Sequence, residues 1–298
     1  MLWGEVVTTM TNLEGSNSAL AITACWTAAV RARESRREDR LFYDPWAQAL
    51  AGEHGASWIA ERTEDGTITM VLRTRYFDDF LEQVANRGEI RQFVFLGAGL
   101  DTRALRCEWP AGVCVFEIDQ PSVIDYKEST LKSLGARPLC ERRSIRKDLT
   151  GSWKEALVEA GFDRRQPSCF LLEGFLFYVS TETAAEIIDS LTSLSAPGTR
   201  LGFDVMNSAM LTSPYTKAWV EMQAQSGAPW IGTMDDPESF LSSRGWTAAL
   251  TQAGQPETNH GRWIFPVFAT KTPNFPHNWW VTAVKKPDAW NTPIQLSS

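Results

Sequence analysis

The strongest restriction on the fold comes from four short apolar segments that alternate with amphipathic ones after residue 90. They are rich in aliphatic and aromatic residues and are bounded by Gly, Pro or acidic residues, as strands usually are. They cover residues 92–99, 112–119, 168–175 and 199–206. Nearly continuous apolar strands are typical of a mostly parallel sheet with helices on both faces. The sequence therefore predicts a doubly wound α/β domain.

Patterns with helical spacing lie before and between these strands. Residues 18–36 are rich in Ala, and residues 68–86 repeat apolar side chains every three or four positions. Residues 180–194 begin with Ser180 and Thr181, which are candidate helix caps. We expect a helix in each of the three segments.

Composition restricts the class of protein. The chain has 298 residues, of which 43 % are hydrophobic, enough for the core of one large domain. Its net charge of -7 and the absence of a long basic run argue against nucleic-acid binding. Because no segment resembles a signal peptide or a membrane span, we expect a cytoplasmic protein without a membrane partner.

The cysteines predict neither disulfides nor a metal site. Their number is odd and no two have CxxC spacing. We expect reduced thiols and no bound metal. The cysteines are Cys25, Cys107, Cys114, Cys140 and Cys169.

The stretch VFLGAGLDTRALR, residues 94–106, contains the most informative turn. Gly97 and Gly99 let the backbone turn tightly and approach a ligand at the carboxyl end of a strand, where doubly wound sheets bind ligands. The next strand ends in FEID, and its acids Glu117 and Asp119 are spaced to accept hydrogen bonds from ribose hydroxyls. Asp119 is preferred because it lies nearer the strand end. The pattern predicts an adenosine-containing ligand, although two glycines alone can simply mark a turn.

The residues after the glycines argue against a dinucleotide. A dinucleotide fingerprint needs Gly or Ala at the position of Thr102, where the helix packs closely on the strand. Asp101 would also place a negative charge beside a pyrophosphate. A carboxylate instead suits an ammonium or a sulfonium, and S-adenosylmethionine carries both.

Five ordered motifs resemble those of the leucine carboxyl methyltransferase-like family of S-adenosylmethionine-dependent O-methyltransferases. This family includes protein phosphatase carboxyl methyltransferases and bacterial polyketide methyltransferases. The motifs are RTRYFDDFL (73–81), VFLGAGLDTRALR (94–106), VFEIDQPSVIDYK (115–127), IRKDL (145–149) and FLLEGFLFYVS (170–180).

The resemblance implies a Rossmann-like, seven-stranded class I methyltransferase sheet with an antiparallel last strand at 278–286. It also implies an N-terminal helical cap and a lid insertion within a single methyltransferase domain spanning 1–298. The divisions are a helical cap (1–90), a cofactor-binding core (91–206), a lid (207–245) and C-terminal strands (246–298).

The resemblance assigns cofactor roles to individual residues. Arg75 would pair with the methionine carboxylate, assisted by Arg31, although Arg75 could also be a solvated helix charge. Asp119 would hold the ribose, and Asp148 the adenine amino group. Glu173 would face the cofactor's positive charge, with a structural salt bridge as the alternative. The cofactor candidates are Arg31, Arg75, Gly97, Ala98, Gly99, Asp101, Asp119, Gln120, Asp148, Leu149, Glu173 and Gly174.

Acceptor selection is expected outside the common sheet. Tyr178 is the candidate for orienting the acceptor, and His260 the candidate for a base, against a surface-loop histidine as the alternative. Trp219 and Trp230 are the candidates for walls of an aromatic acceptor pocket, whereas Trp279 and Trp280 are expected in the sheet. We expect methyl transfer to a carboxylate or hydroxyl of a small aromatic or polyketide-like acceptor. The alternatives are a protein C-terminal carboxyl methyltransferase and a non-catalytic module that binds the cofactor.

Overall fold

The computed structural model describes residues 18–287. Trp290 and the rest of the predicted C-terminal segment beyond residue 287 lie outside the described residues. The sheet contains β1 (Gln92–Leu96), β2 (Cys114–Asp119), β3 (Glu141–Arg146), β4 (Ser168–Leu172), β5 (Arg200–Met206), β6 (Trp246–Thr251) and β7 (Asn278–Lys285).

The order of the strands across the sheet is β3-β2-β1-β4-β5-β7-β6. Strands β1 to β5 are parallel, and β7 runs antiparallel between β5 and β6. This confirms the predicted seven-stranded α/β sheet with its antiparallel last strand. Chain order reverses at β1, which has β2 on one side and β4 on the other. In open α/β sheets, ligands bind at such a switch point.

The predicted helices are confirmed as α1, α3 and α7. The Ser180 hydroxyl caps α7 by accepting a hydrogen bond from the Thr183 N–H at 3.2 Å. Single 3-10 turns are Asp65–Thr67 and Leu176–Tyr178. The described helices are α1 (Ser18–Ser35), α2 (Ala47–Ala60), α3 (Ile68–Asn86), α4 (Arg103–Arg106), α5 (Pro121–Ser133), α6 (Trp153–Glu159), α7 (Thr181–Leu194), α8 (Ala209–Thr212), α9 (Lys217–Gln225), α10 (Pro237–Ser242) and α11 (Pro256–Asn259).

The sheet separates two apolar cores, as a sheet covered on both faces requires. Alternate residues of β1 point to opposite faces. Phe93 and Phe95 therefore pack with α1, α3 and α5, while Val94 and Leu96 pack with α6 and α7. Trp280 joins the first core and Trp279 the second, which confirms that both belong to the sheet.

Two helical regions contribute residues to the cavity at the carboxyl ends of the parallel strands. Helices α1 to α3 precede the sheet, and α8 to α10 follow β5. Their assignment as a cap and a lid, with the exact domain divisions, stays a prediction. The described helices include none long and apolar enough to cross a membrane.

Candidate cofactor and acceptor site

A cavity of about 680 Å³ opens at the carboxyl ends of the central strands. This volume is in the range of roughly 300–1,000 Å³ usual for small-molecule sites. The β1 turn and the ends of β2 and β4 form one part, which we call the cofactor end. The other part, the acceptor end, is formed by the 3-10 turns, the start of α3 and the segment after β5. Predicted site residues on the wall are Arg31, Gly97, Ala98, Gly99, Asp101, Asp119, Gln120, Asp148, Leu149, Glu173, Gly174, Tyr178, Trp219 and Trp230.

The glycine turn at the end of β1 allows the backbone to approach a ligand closely. Gly97 and Gly99 have φ angles of 62° and 48°, in the left-handed region that favours glycine. A Cβ on Gly97 would lie 2.8 Å from a ring atom of Phe175. Gly99 donates its backbone N–H to Asp119 Oδ2 at 2.6 Å, which ties the turn to the end of β2.

Asp119 is positioned by backbone donors and still faces the cavity. Its Oδ1 accepts from the Gln120 N–H at 2.7 Å, opposite the bond from Gly99. Burial raises the pKa of Asp119 above its ordinary value. Asp148 faces the same end, but one of its oxygens already accepts from the Thr150 N–H at 2.8 Å.

Glu117 does not compete with Asp119 for a ligand. It is fully buried, and its Oε2 accepts from Lys127 Nζ at 2.7 Å and Arg142 Nη2 at 2.6 Å. Both acids lie on β2, but the carboxylate of Glu117 is already paired with these two cations inside the molecule. Only Asp119, at the strand end, lines the cavity.

A chain of ion pairs forms the wall between the two ends of the cavity. Arg73 donates from Nε to Glu173 Oε1 at 3.0 Å and from Nη1 to Asp204 Oδ2 at 2.7 Å. Arg103 donates to the other oxygen of Glu173 at 2.7 Å. The second oxygen of Asp204 accepts from the Gly174 N–H at 2.6 Å. Glu173 is therefore held by two guanidinium groups, as in a structural salt bridge, but it also lines the cavity, so its role toward the cofactor stays a prediction.

Asp101 lies beside this chain and also pairs with Arg103. Burial would raise its pKa, but the charges of Arg103, Lys127 and Arg106 outweigh that effect and lower the pKa to about 2. Asp101 therefore stays ionised at neutral pH. In Asp204, by contrast, burial dominates and raises the pKa.

The structure places Arg75 outside the cavity. Its Nε bonds to Asp79, one turn along α3, and its Nη1 bonds to the Leu41 carbonyl. Arg73 takes the place at the cavity wall that we expected for Arg75. Arg31 does line the cavity, held by Asp44 at 2.9 Å and the Leu100 carbonyl at 2.6 Å.

The sequence contained a signal for Arg73 that the motif comparison did not use. Arg73 lies three residues after Met70 and four before Phe77, so it falls on the inward stripe of α3. Arg75 lies off that stripe. Asp204 is also visible in the sequence, as an isolated acid within the apolar strand β5.

The acceptor end combines several aromatic side chains with mostly uncharged smaller ones. Tyr178 packs its ring 5.0 Å from Phe177, whose other neighbour is Trp230 at 5.7 Å. Burial raises the pKa of Tyr178, so its hydroxyl stays protonated and suits donation better than proton abstraction. Trp219 reaches the same space from α9.

The structure does not bring His260 to this end. It is exposed and follows α11 in a left-handed conformation, with φ of 47°, away from the cavity wall. The position is that of the surface-loop alternative. Within residues 18–287, no group of three or more His, Cys, Asp or Glu residues could hold a metal ion.

A seven-stranded sheet of this topology, with a glycine turn and a terminal acid at adjacent strand ends, defines a class I methyltransferase. The chain belongs to the leucine carboxyl methyltransferase family, whose model matches residues 24–192.

Its relatives support the same class. A Mycolicibacterium smegmatis protein with the provisional name S-adenosyl-L-methionine-dependent methyltransferase is 35 % identical, over 85 % of this chain and 93 % of its own. A Saccharopolyspora erythraea protein with the same provisional name is 39 % identical, over 77 % and 84 %. The protein is therefore an S-adenosylmethionine-dependent methyltransferase.

Solved structures show the same fold at low sequence identity. A duf574 family protein from Streptomyces avermitilis aligns with a TM-score of 0.55 and 15 % identity, covering 87 % of this chain and 96 % of its own. A provisionally assigned methyltransferase from Thermobifida fusca also gives 0.55, at 16 % identity, covering 87 % and 94 %.

The residues present fit S-adenosylmethionine. Asp119 offers carboxylate oxygens at the cofactor end, and the buried Gln120 Oε1 beside it has no hydrogen-bond partner among the described residues. Arg31 and Arg73 are cations that suit a carboxylate, and Asp101 and Glu173 are acids that suit an ammonium. The individual cofactor contacts stay predictions.

Proposed function

We propose that the protein is an O-methyltransferase that acts on a carboxylate or hydroxyl of a small aromatic or polyketide-like acceptor. The observation that carries this proposal is the lining of the acceptor end, where Trp219 and Trp230 converge with Phe177 and Tyr178. Flat aromatic walls suit a flat apolar acceptor. The cavity volume of about 680 Å³ leaves space for a compact molecule.

The chain's own contribution is positioning. When bound, S-adenosylmethionine supplies a methyl group whose bond to sulfur breaks, with the electron pair kept by sulfur, as a bond to the acceptor oxygen forms. The aromatic residues hold the acceptor in line and exclude water, and the Tyr178 hydroxyl orients the acceptor oxygen. A carboxylate needs no base at neutral pH, whereas a hydroxyl must lose a proton.

The expected partner is a small molecule rather than nucleic acid or membrane. The net charge of -7 supports this, because tracking a phosphate backbone needs an excess of Lys and Arg. A protein C-terminal carboxylate is the alternative acceptor.

The test uses S-adenosylmethionine with a radiolabelled methyl group and extract of the native host, divided into a protein-free and a protein fraction. We expect label in the protein-free fraction and release of adenosylhomocysteine. Label in a protein would support the alternative acceptor. Cofactor binding with no transfer to either fraction would contradict both proposed acceptors.

A further inference from the structure

A stripe that begins just before helix α9 presents one amide side chain to the acceptor end. Thr216, Trp219 and Gln223 are spaced by three and four residues and all line the cavity. Glu221 and Gln225 lie on the exposed side. The stripe thus places one amide among otherwise aromatic and small side chains.

Gln223 is buried with an unused hydrogen-bond acceptor. Its relative exposure is 2 %, and its Oε1 has no hydrogen-bond partner among the described residues. Asn278, at the start of β7, also lines the cavity with a buried Oδ1 that lacks a described partner. An unpaired buried polar atom is costly, so a ligand group that donates a hydrogen bond fits here.

The charges at this end disfavour an acidic acceptor. Of its described lining residues, only Asp65 and Arg73 are charged. Asp65 would repel an anion, and the Arg73 guanidinium pairs with Glu173 and Asp204 and is the group expected to meet the carboxylate of the cofactor. A carboxylate acceptor would therefore lose its water of hydration without gaining a cationic partner, which is energetically costly. An uncharged hydroxyl compound does not have this cost.

We propose that the acceptor is an uncharged hydroxyl compound, a phenol or an enol, whose O–H donates to Gln223 Oε1. This rests on the proposed function and narrows it from carboxylate or hydroxyl to hydroxyl. The transfer forms the bond between oxygen and methyl carbon as the bond between methyl carbon and sulfur breaks, and the hydroxyl proton is released to solvent, so the products are a neutral ether, a neutral thioether and one proton. Gln223 is then a specificity-determining residue, because the site rejects analogues that lack the hydroxyl hydrogen.

The first experiment takes the labelled small-molecule product and exposes it to mild alkali. A methyl ether resists this treatment, and a methyl ester releases its label as methanol. We expect alkali-stable label. Label in small molecules that alkali releases would overturn the hydroxyl assignment but leave the proposed function standing, whereas no label in small molecules would contradict the proposed function itself.

The second experiment compares Gln223→Met with the exposed control Gln225→Met on the same helix, using the labelled extract fraction. We expect at least a fivefold loss of labelling efficiency in Gln223→Met at an unchanged Kd for adenosylhomocysteine, and no change in the control. If Gln223→Met folds poorly, Gln223→Leu removes the same acceptor oxygen and should show the same loss. Wild-type labelling in the folded variants would overturn the assignment.

Discussion

At the residue scale, the pairing of buried charges decides which side chains can serve a ligand. Arg73 and Arg75 are two residues apart on α3, yet Arg73 bridges Glu173 and Asp204 at the cavity wall while Arg75 pairs with Asp79 at the surface. A planar guanidinium suits the first position because it can donate to two carboxylates in fixed directions. The same geometry keeps Arg73 in place to meet a ligand carboxylate.

This difference predicts that replacement of arginine by lysine affects cofactor binding at position 73 and has no effect at position 75. Arg73→Lys keeps the charge but loses the several N–H donors of the planar guanidinium. A hydrogen bond to a charged group contributes about 1.5–3 kcal/mol, so we expect the Kd for adenosylhomocysteine to rise at least tenfold. Arg75→Lys should leave the Kd unchanged, because that side chain is outside the cavity. Isothermal titration calorimetry measures both, and equal affinities would contradict the role of Arg73.

The second residue-scale prediction concerns pH. Burial raises the pKa of Asp119, so the folded protein protonates this carboxyl more readily than the unfolded chain does. Protonated Asp119 therefore favours the folded state at low pH. This contribution to the free energy of unfolding is lost as the pH rises through the pKa that Asp119 has in the folded protein. The affinity for a ligand changes with pH in the opposite direction, because the ionised carboxylate is the better acceptor for ribose hydroxyls.

We therefore expect the affinity for adenosylhomocysteine to fall as the pH decreases through the raised pKa of Asp119. Asp119→Asn should bind more weakly near neutral pH and lose this dependence. Calorimetric titrations between about pH 4 and 7 bracket the range above the ordinary Asp value. An identical pH profile in the variant would rule out Asp119 as the titrating group.

At the element scale, local sequence predicts an element only where its burial leaves a pattern. Strands β1, β2, β4 and β5 are central and apolar, so their sequences identify them. β3 has the sequence ERRSIR and lies at the sheet edge with half-exposed side chains, and β6 exposes alternate residues, so neither shows an apolar run. Likewise, the glycine turn and Asp119 follow from strand ends, whereas Arg73 and Gln223 depend on which helix face the tertiary structure buries.

Helix α9 and the chain up to Trp230 give an element-scale prediction. The glycine turn and the strand ends form the cofactor end, and this segment does not contribute to it. Substitutions in the segment should therefore change acceptor turnover without changing cofactor affinity. We expect Trp219→Ala and Trp230→Ala to lower acceptor turnover strongly, because removing an aromatic side chain that a bound ligand covers commonly costs about 2 kcal/mol or more. The Kd for adenosylhomocysteine should change little.

The matched control is Trp246→Ala, since Trp246 is fully buried in β6 and packs in the core beyond the site. That variant should lower the melting temperature with little effect on which acceptors are used. If Trp219→Ala and Trp230→Ala behave in the same way as this control, both are core residues and the aromatic pocket lies elsewhere.

At the scale of the whole molecule, one cavity joins distant parts of the chain. Its walls come from α1 and α3, from the ends of β1, β2 and β4, and from α9 and the start of β7, so it draws on residues between Thr23 and Asn278. The ion pairs of Arg73 and Arg103 connect α3 and α4 to β4 and β5. A ligand that binds only when these parts are folded together favours the folded state of the whole chain.

Ligand binding should therefore stabilise the entire fold. A ligand at 100 times its Kd that binds only the folded state adds about 2.7 kcal/mol. For a chain of 298 residues, that corresponds to a rise in melting temperature of roughly 4 °C. We expect adenosylhomocysteine to produce this shift and NAD to produce little, because Thr102 occupies the third glycine position and Asp101 stays ionised beside the turn. Asp119→Ala should reduce the shift while melting cooperatively without ligand. An equal shift with NAD would show that the turn accepts a pyrophosphate and would contradict the discrimination assigned to Asp101 and Thr102.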